Sequence, residues 1–266
     1  MTSMKKCAGV ITTNHPVTEH EMLGSQNMIQ ALNKLGFDIH IIDYNIISHD
    51  FSNQTLLYNK VFKIIKYHNI TTFIIPGYFY NISSPPLYPS GRRQLLIYVI
   101  LKMCYQLHIR IIGVCGGLQG VLSLQGIQPQ RLSTFNIPAE IQAKEHGICN
   151  ILDLSFLTPN SVVQKITNHE KEYKMKNIYI PHINYEGIIN NASNHIKLSA
   201  LHYKILALSS NKRVISIVYN MKYPILLFQG HPEGLIMNLD NHKITDYRII
   251  ESIKIVTKLF LDHLGV

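Results

Sequence analysis

Through the first 115 residues, runs of apolar and β-branched residues alternate with segments whose apolar side chains recur every three or four positions. KCAGVITT (6–13), FDIHIID (37–43), TTFII (71–75) and IRIIGV (109–114) have the composition of strands. Between them, Met22, Ile29, Leu32 and Leu35 lie at helical spacing and stop at Gly36, and Leu57, Val61, Ile64 and His68 repeat the pattern. A third helix carries Leu95, Val99, Met103 and Leu107. Strands this apolar need cover on both faces, and strand-helix-strand order supplies it when the strands run parallel. The expectation is an α/β chain with a doubly wound, mostly parallel, flavodoxin-like sheet, and in such sheets ligands sit at the carboxyl ends of the strands.

From about 130 to 220 the rhythm changes to short strand-like pieces such as NIYIPHI, YKILALSS and KRVISIVYN, which predict an additional small β region. PILLFQGHPEG then gives one more apolar strand ending in a loop. The last segment is a helix with Ile249, Ile253, Val256, Phe260 and Leu264 along one stripe and Thr245 or Asp246 as its cap. With no repeat or low-complexity linker, residues 1–266 are expected to form a single domain.

Composition narrows the function classes. Apolar residues make up 46% and charged residues only 15% of the chain, which argues against disorder, and no apolar run reaches the ~18 residues of a membrane helix. MTSMKK is followed by only the short CAGVI, unlike a secretory leader, so a cytoplasmic protein with no membrane association is expected. Cys7, Cys104, Cys115 and Cys149 are far apart and form no C-x-x-C pair, so reduced thiols are expected rather than disulfides or a zinc site. The formal charge is +9, but nineteen of the twenty-five basic residues are scattered lysines, and no arginine or aromatic motif points to nucleic acid. The sequence leaves the oligomeric state, a homodimer included, open.

One cysteine stands where chemistry is concentrated. In GVCGGLQ (113–119), Cys115 joins an apolar strand to a helix start, and Gly113, Gly116 and Gly117 supply the smallness that a sharp strand-to-helix corner requires. A helix N-terminus favours a thiolate there. Attack on an amide further needs a proton donor for the leaving nitrogen and N–H groups for the oxyanion. His231 and Glu233, two apart on a segment expected to be extended, would project to one side, so that the carboxylate orients the imidazole. The backbone at Gly116 and at Gly77, both at strand ends, would supply the oxyanion donors.

G-V-C-G-G-L-Q, followed by G-H-P-E with His231 116 positions after Cys115, resembles the class I glutamine amidotransferase superfamily. The likeness is greatest to its γ-glutamyl hydrolase-like branch, the peptidase C26 group. IIPG (74–77) with PPLY (85–88), GRRQ (91–94), EHGICNILDLSFL (145–157) and LSALH (198–202) carry that branch-level likeness, which spans roughly residues 20 to 260. The resemblance implies a Cys115-His231-Glu233 triad and a small-molecule γ-glutamyl amide as substrate, with no metal or organic cofactor. It implies hydrolysis through a γ-glutamyl thioester, or a glutaminase passing ammonia to a separate synthase; a non-catalytic relative is the third reading. Gly77, Tyr78, Gly116, Gln119 and His202 fall in its substrate-binding stretches. Two positions depart from the pattern: Gly116 stands where the family has an arginine, and Tyr78 where it has a glycine. Ala200 replaces a serine in the LSALH stretch.

The remaining candidates have plainer alternatives. His231 and Glu233 could form a metal pair, but no third ligand is suitably spaced. His202 and His146 could be core histidines, and Gln119 a helix residue holding the elbow. Tyr78, Phe79, Tyr80 and Tyr88 could form a pocket lid or a self-packed surface loop. Cys7, Cys104 and Cys149 are expected as core filler, and HEKEYKMK (169–176) as a solvated surface.

Overall fold

A computed structural model of the chain describes residues 6–13, 19–48, 53–78, 91–135, 146–151, 177–181 and 184–265. The first part runs β1 (Cys7–Thr12), α1 (Glu19–Lys34), β2 (Asp38–Asp43), α2 (Tyr44–Ile47), α3 (Gln54–His68), β3 (Ile70–Ile75), α4 (Gly91–Leu107), β4 (Arg110–Val114) and α5 (Gly116–Leu124). The second runs β5 (Gln130–Arg131), β6 (His146–Ile151), β7 (Asn177–Pro181), β8 (Glu186–Gly187), α6 (Ala192–Ala200), β9 (Tyr203–Ser209), β10 (Ile215–Asn220), β11 (Ile225–Phe228), α7 (Pro232–Ile236) and α8 (Tyr247–Leu264).

Nine strands form one sheet in the order β2-β1-β3-β4-β11-β10-β9-β6-β7. The first five are parallel throughout, and the rest are antiparallel. The pieces after residue 130 thus mostly extend the main sheet, and β5 and β8 pair separately. Short turns suffice for β9, β10 and β11 because antiparallel neighbours need no crossover helix.

The parallel strands are covered on both sides, as their unbroken apolar character requires. Phe73, Ile75, Ile111 and Leu227 pack with α3, α4 and α5, including Val61, Leu96 and Leu118. Ile74, Ile112, Leu226 and Phe228 pack on the opposite face with Met28 and Leu32 of α1 and Val256 and Phe260 of α8. The period-2 alternation of strand side chains thus serves two cores. α8 starts at Asp246, whose side chain accepts from the Arg248 N–H, and ends at Gly265 with φ 72°. α1 turns differently from the sequence expectation: Met22 is exposed, while Glu21 and Ser25 are buried beside Met28 and Leu32. Periodicity ranks apolar residues inward and misses a polar face that has partners elsewhere in the fold.

His263 of α8 is buried and donates from Nε2 to the Ile111 carbonyl at 3.0 Å. Burial is the main cause that pushes its pKa down to about 3, against the opposing pull of that hydrogen bond. The folded state holds this imidazole neutral while the unfolded chain protonates it near pH 6.5, so its stabilising contribution is present above about 6.5 and lost toward about 3. The thermal midpoint of the wild type is expected to fall more steeply between pH 7 and 4 than that of His263→Gln, which keeps a donor and has nothing to titrate. Parallel pH curves for the two proteins would refute this.

Candidate active site

Three neighbouring strands, β3, β4 and β11, deliver their carboxyl ends to one place. β4 ends in Cys115, which has φ 51° and ψ −107° and stands immediately before α5. That conformation is costly for a residue with a side chain, and a tight surrounding structure is needed to hold it. The Cys115 N–H donates to the Phe228 carbonyl at 2.6 Å, tying the corner to β11. Cβ atoms at neighbouring glycines would collide: at Gly117 one would lie 2.1 Å from the Ile75 carbonyl oxygen, and at Gly113 2.7 Å from Leu227 Cδ2. The helix therefore approaches the sheet as closely as backbone allows, which is what turns the strand so sharply.

β11 runs on through Gln229 and Gly230 to His231. Contrary to the expected extended segment, Pro232 and Glu233 already belong to α7, with His231 as its cap residue and Pro232 in the first turn, where a missing N–H costs nothing. Imidazole and carboxylate meet nonetheless: His231 Nδ1 lies 2.7 Å from Glu233 Oε1. His231 is also hydrogen-bonded to Cys115, and with Nδ1 committed to the carboxylate, Nε2 is left for the sulfur. Burial acts to lower the His231 pKa. The charge of Glu233, the hydrogen bonds to Cys115 and Glu233, and the charge of Cys115 outweigh it, so the imidazolium persists well above the usual histidine range.

These three residues face a cavity of about 270 Å³. Gly77 and Tyr78 form its wall after β3, Pro181 contributes from β7, and Leu23, Gly24 and Asn27 come from α1. Gly77 is closely engaged: a Cβ there would lie 3.1 Å from His231 Cε1 and 3.3 Å from Cys115 Cβ.

Tyr78 and Gly116, the two positions that depart from the pattern the sequence resembles, face each other. A Cβ on Gly116 would stand 2.7 Å from both Cδ1 and Cε1 of Tyr78. The ring occupies the space that a side chain at 116 would need.

Other sequence candidates are placed elsewhere. Gln119 is absent from the cavity wall; it is buried and donates to the Glu186 carbonyl at 2.8 Å and to Gln229 Oε1 at 3.3 Å. It holds the scaffold rather than lining a substrate pocket. His202 does not line the cavity either. It sits with φ 64° in the exposed turn after α6, and its carbonyl accepts from the Met221 N–H. The LSALH stretch ends a helix there and leaves His202 exposed. His146 lies in β6 opposite Pro181. Phe79, Tyr80, Tyr88 and residues 169–176 lie outside the described residues. Cys7 and Cys104 are buried, and burial pushes the Cys104 thiol up to about 12, far from reactive. Among the described residues, no group of three or more His, Cys, Asp or Glu is placed to hold a metal.

Sequence reading missed Gln229 and the α1 residues. Gln229 is fully buried and directs Nε2 at Cys115 Sγ, 3.7 Å away, completing a relay from the Glu186 carbonyl through Gln119 and Gln229 to the sulfur. An amide at the end of an otherwise apolar strand was the available signal. For Leu23, Gly24 and Asn27 there was none, since strand order alone brings α1 beside the site.

No protein-family model matches the sequence, and no curated protein matches it. Solved structures do match along nearly the whole chain. The glutaminase domain of a Trypanosoma brucei CTPS with bound acivicin is 13% identical, covers 98% of this chain and 94% of its own, and has a TM-score of 0.57. A glutamine amidotransferase from Thermotoga maritima is 12% identical over 98% of this chain and 99% of its own, with a TM-score of 0.52. A glutamine amido transferase from Methylobacillus flagellatus is 9% identical over 98% and 93%, with a TM-score of 0.50. The chain thus has the class I glutamine amidotransferase fold.

Proposed function

We propose that this chain is a cysteine-dependent hydrolase of γ-glutamyl amides. The observation that carries the reading is the meeting of a sulfur on a strained strand-to-helix corner with an imidazole already paired to a carboxylate, all beside one cavity. The Cys115 thiolate attacks the δ-carbonyl, and the oxyanion is received by the N–H groups of Gly116 and Gly77. Gly116 begins α5, where an N–H has no acceptor within the helix, and Gly77 lies beyond Ile75, the last paired residue of β3. The imidazolium of His231 protonates the departing amine as the C–N bond breaks, leaving a γ-glutamyl thioester on Cys115. Neutral His231 then takes a proton from water, which attacks the thioester, and glutamate leaves as the thiolate returns.

Incubation with a glutamine-like chloroketone, followed by mass spectrometry, tests the nucleophile: alkylation confined to Cys115 supports the reading. Turnover of a panel of γ-glutamyl amines and peptides tests the reaction. An unmodified Cys115 together with no turnover leaves the non-catalytic reading.

The likeness to a glutaminase domain favours a second reading, in which the same chemistry releases ammonia for a separate synthase. Steady hydrolysis of glutamine by the isolated chain, faster than that of any other γ-glutamyl amide, would favour it over the broader hydrolase.

The pH dependence has a defined direction. Because Glu233 is the largest of the influences that raise His231, Glu233→Gln should lower the imidazolium pKa and move the basic limb of the kcat/KM profile to lower pH. A limb that stays in place would show that Glu233 does not govern the acid.

A further inference from the structure

We propose that Arg93 is the residue that sets the oxyanion site, holding the Pro76–Gly77 peptide with one guanidinium nitrogen and the backbone at Gly116 through the ring of Tyr78. This inference rests on the hydrolytic reading above. Arg93 stands in the first turn of α4 and is completely buried, an unusual place for a cation. Its Nη1 faces Glu21 Oε1 at 3.5 Å, and Tyr44 Oη donates to the same oxygen at 2.7 Å. Neither Nε nor Nη1 makes a hydrogen bond to a described residue. A buried ion pair with this incomplete set of bonds is a poor source of stability, so the two contacts that Arg93 makes on the side of the catalytic loop carry the meaning.

The first contact is Nη2 donating to the Pro76 carbonyl at 2.7 Å. The Gly77 N–H belongs to the same peptide unit. A charged donor on that carbonyl fixes the orientation of the plane and polarises it, making the Gly77 N–H a stronger donor toward the site. The second is the guanidinium carbon, 4.1 Å from the centre of the Tyr78 ring, a cation–π distance. The same ring presses on Gly116, where a Cβ would meet it at 2.7 Å. One planar fork therefore braces the loop that carries one oxyanion donor and, through a single aromatic ring, the helix start that carries the other. Arg93 does not line the cavity, so it is a positioning residue and not a catalytic one.

The test separates oxyanion stabilisation from general upkeep of the elbow. kcat and KM are measured for Arg93→Gln and Arg93→Lys on the γ-glutamyl amide that the wild type hydrolyses best. In parallel, the rate constant for alkylation of Cys115 by iodoacetamide is measured, a displacement that needs the thiolate and no oxyanion site. Arg93→Gln should lose about 10²–10³-fold in kcat, with KM little changed and alkylation within about threefold of the wild type. Arg93→Lys, which keeps the charge and loses the planar fork, should lose about tenfold in kcat with alkylation again preserved; it carries the test alone if Arg93→Gln does not fold. Unchanged kcat, or equal losses in turnover and alkylation, would overturn the inference while the hydrolase reading stands. A wild type that hydrolyses no γ-glutamyl amide would overturn both.

Discussion

Cys115→Ala is expected to fold like the wild type and to lose turnover by roughly 10⁴–10⁶-fold, the scale seen when a covalent nucleophile is removed. The methyl group of alanine keeps the Cβ where it is, so the corner gains no clash. What disappears is the sulfur, and with it the Gln229 Nε2 contact at 3.7 Å and the hydrogen bond to His231. Neither loss opens the core, because Cys115 stands beside the cavity that Gly77 and Tyr78 line. Cys115→Gly should be equally inactive but more stable, by about 1 kcal/mol, since glycine relieves the strain of a positive φ. Turnover on the γ-glutamyl panel and thermal midpoints check both statements. Residual activity in Cys115→Ala above one part in about a hundred of the wild type would remove the sulfur from the mechanism.

Gly117→Ala should be the most damaging single-methyl change to the fold around the site. Its Cβ would lie 2.1 Å from the Ile75 carbonyl oxygen and 3.0 Å from the Ile75 carbon, both backbone atoms at the end of β3. Backbone cannot rotate aside as a side chain can, so α5 must lift from the sheet and take Gly116 and Cys115 with it. Overpacking of this kind costs about 1–3 kcal/mol, and a contact this short belongs at the upper end. For a chain of this size that is a fall in thermal midpoint of about 5–10 °C, and turnover should fall at least about tenfold because small displacements at the nucleophile are costly. Gly120→Ala on the same helix is the control: its Cβ would meet Ile97 Cδ1 at 3.2 Å, the far end of a flexible side chain, and it should be nearly silent. If the two variants behave alike, close approach of α5 to β3 is not what shapes the elbow.

Much of the site was legible because its parts act locally. A strand, a cysteine and a run of glycines within seven residues can only make a tight corner, and an H-P-E segment after another apolar strand puts an imidazole and a carboxylate within reach of each other. The doubly wound order was legible for the same reason, since apolar runs without alternation demand cover on both faces. The failures lie where burial depends on distant partners. Met22 was placed on the inner stripe of α1, but the helix buries Glu21 instead, because Arg93 and Tyr44 wait for that carboxylate. Gln229 could not be told apart from an ordinary polar residue, since only the adjacency of α5 and β11 joins it to Gln119. His202 was open between a pocket position and a core position, yet the helix end leaves it in an exposed turn.

By itself, then, the sequence determined the strand and helix elements, the strained corner under Cys115 and the pairing of His231 with Glu233, because each depends on residues only a few positions apart. The tertiary structure alone decided that Tyr78 fills the space above Gly116 and that a buried arginine lies beneath it. Whether a charge or an aromatic ring can be buried depends on the groups that strand order sets against it, and those come from parts of the chain that no local pattern connects.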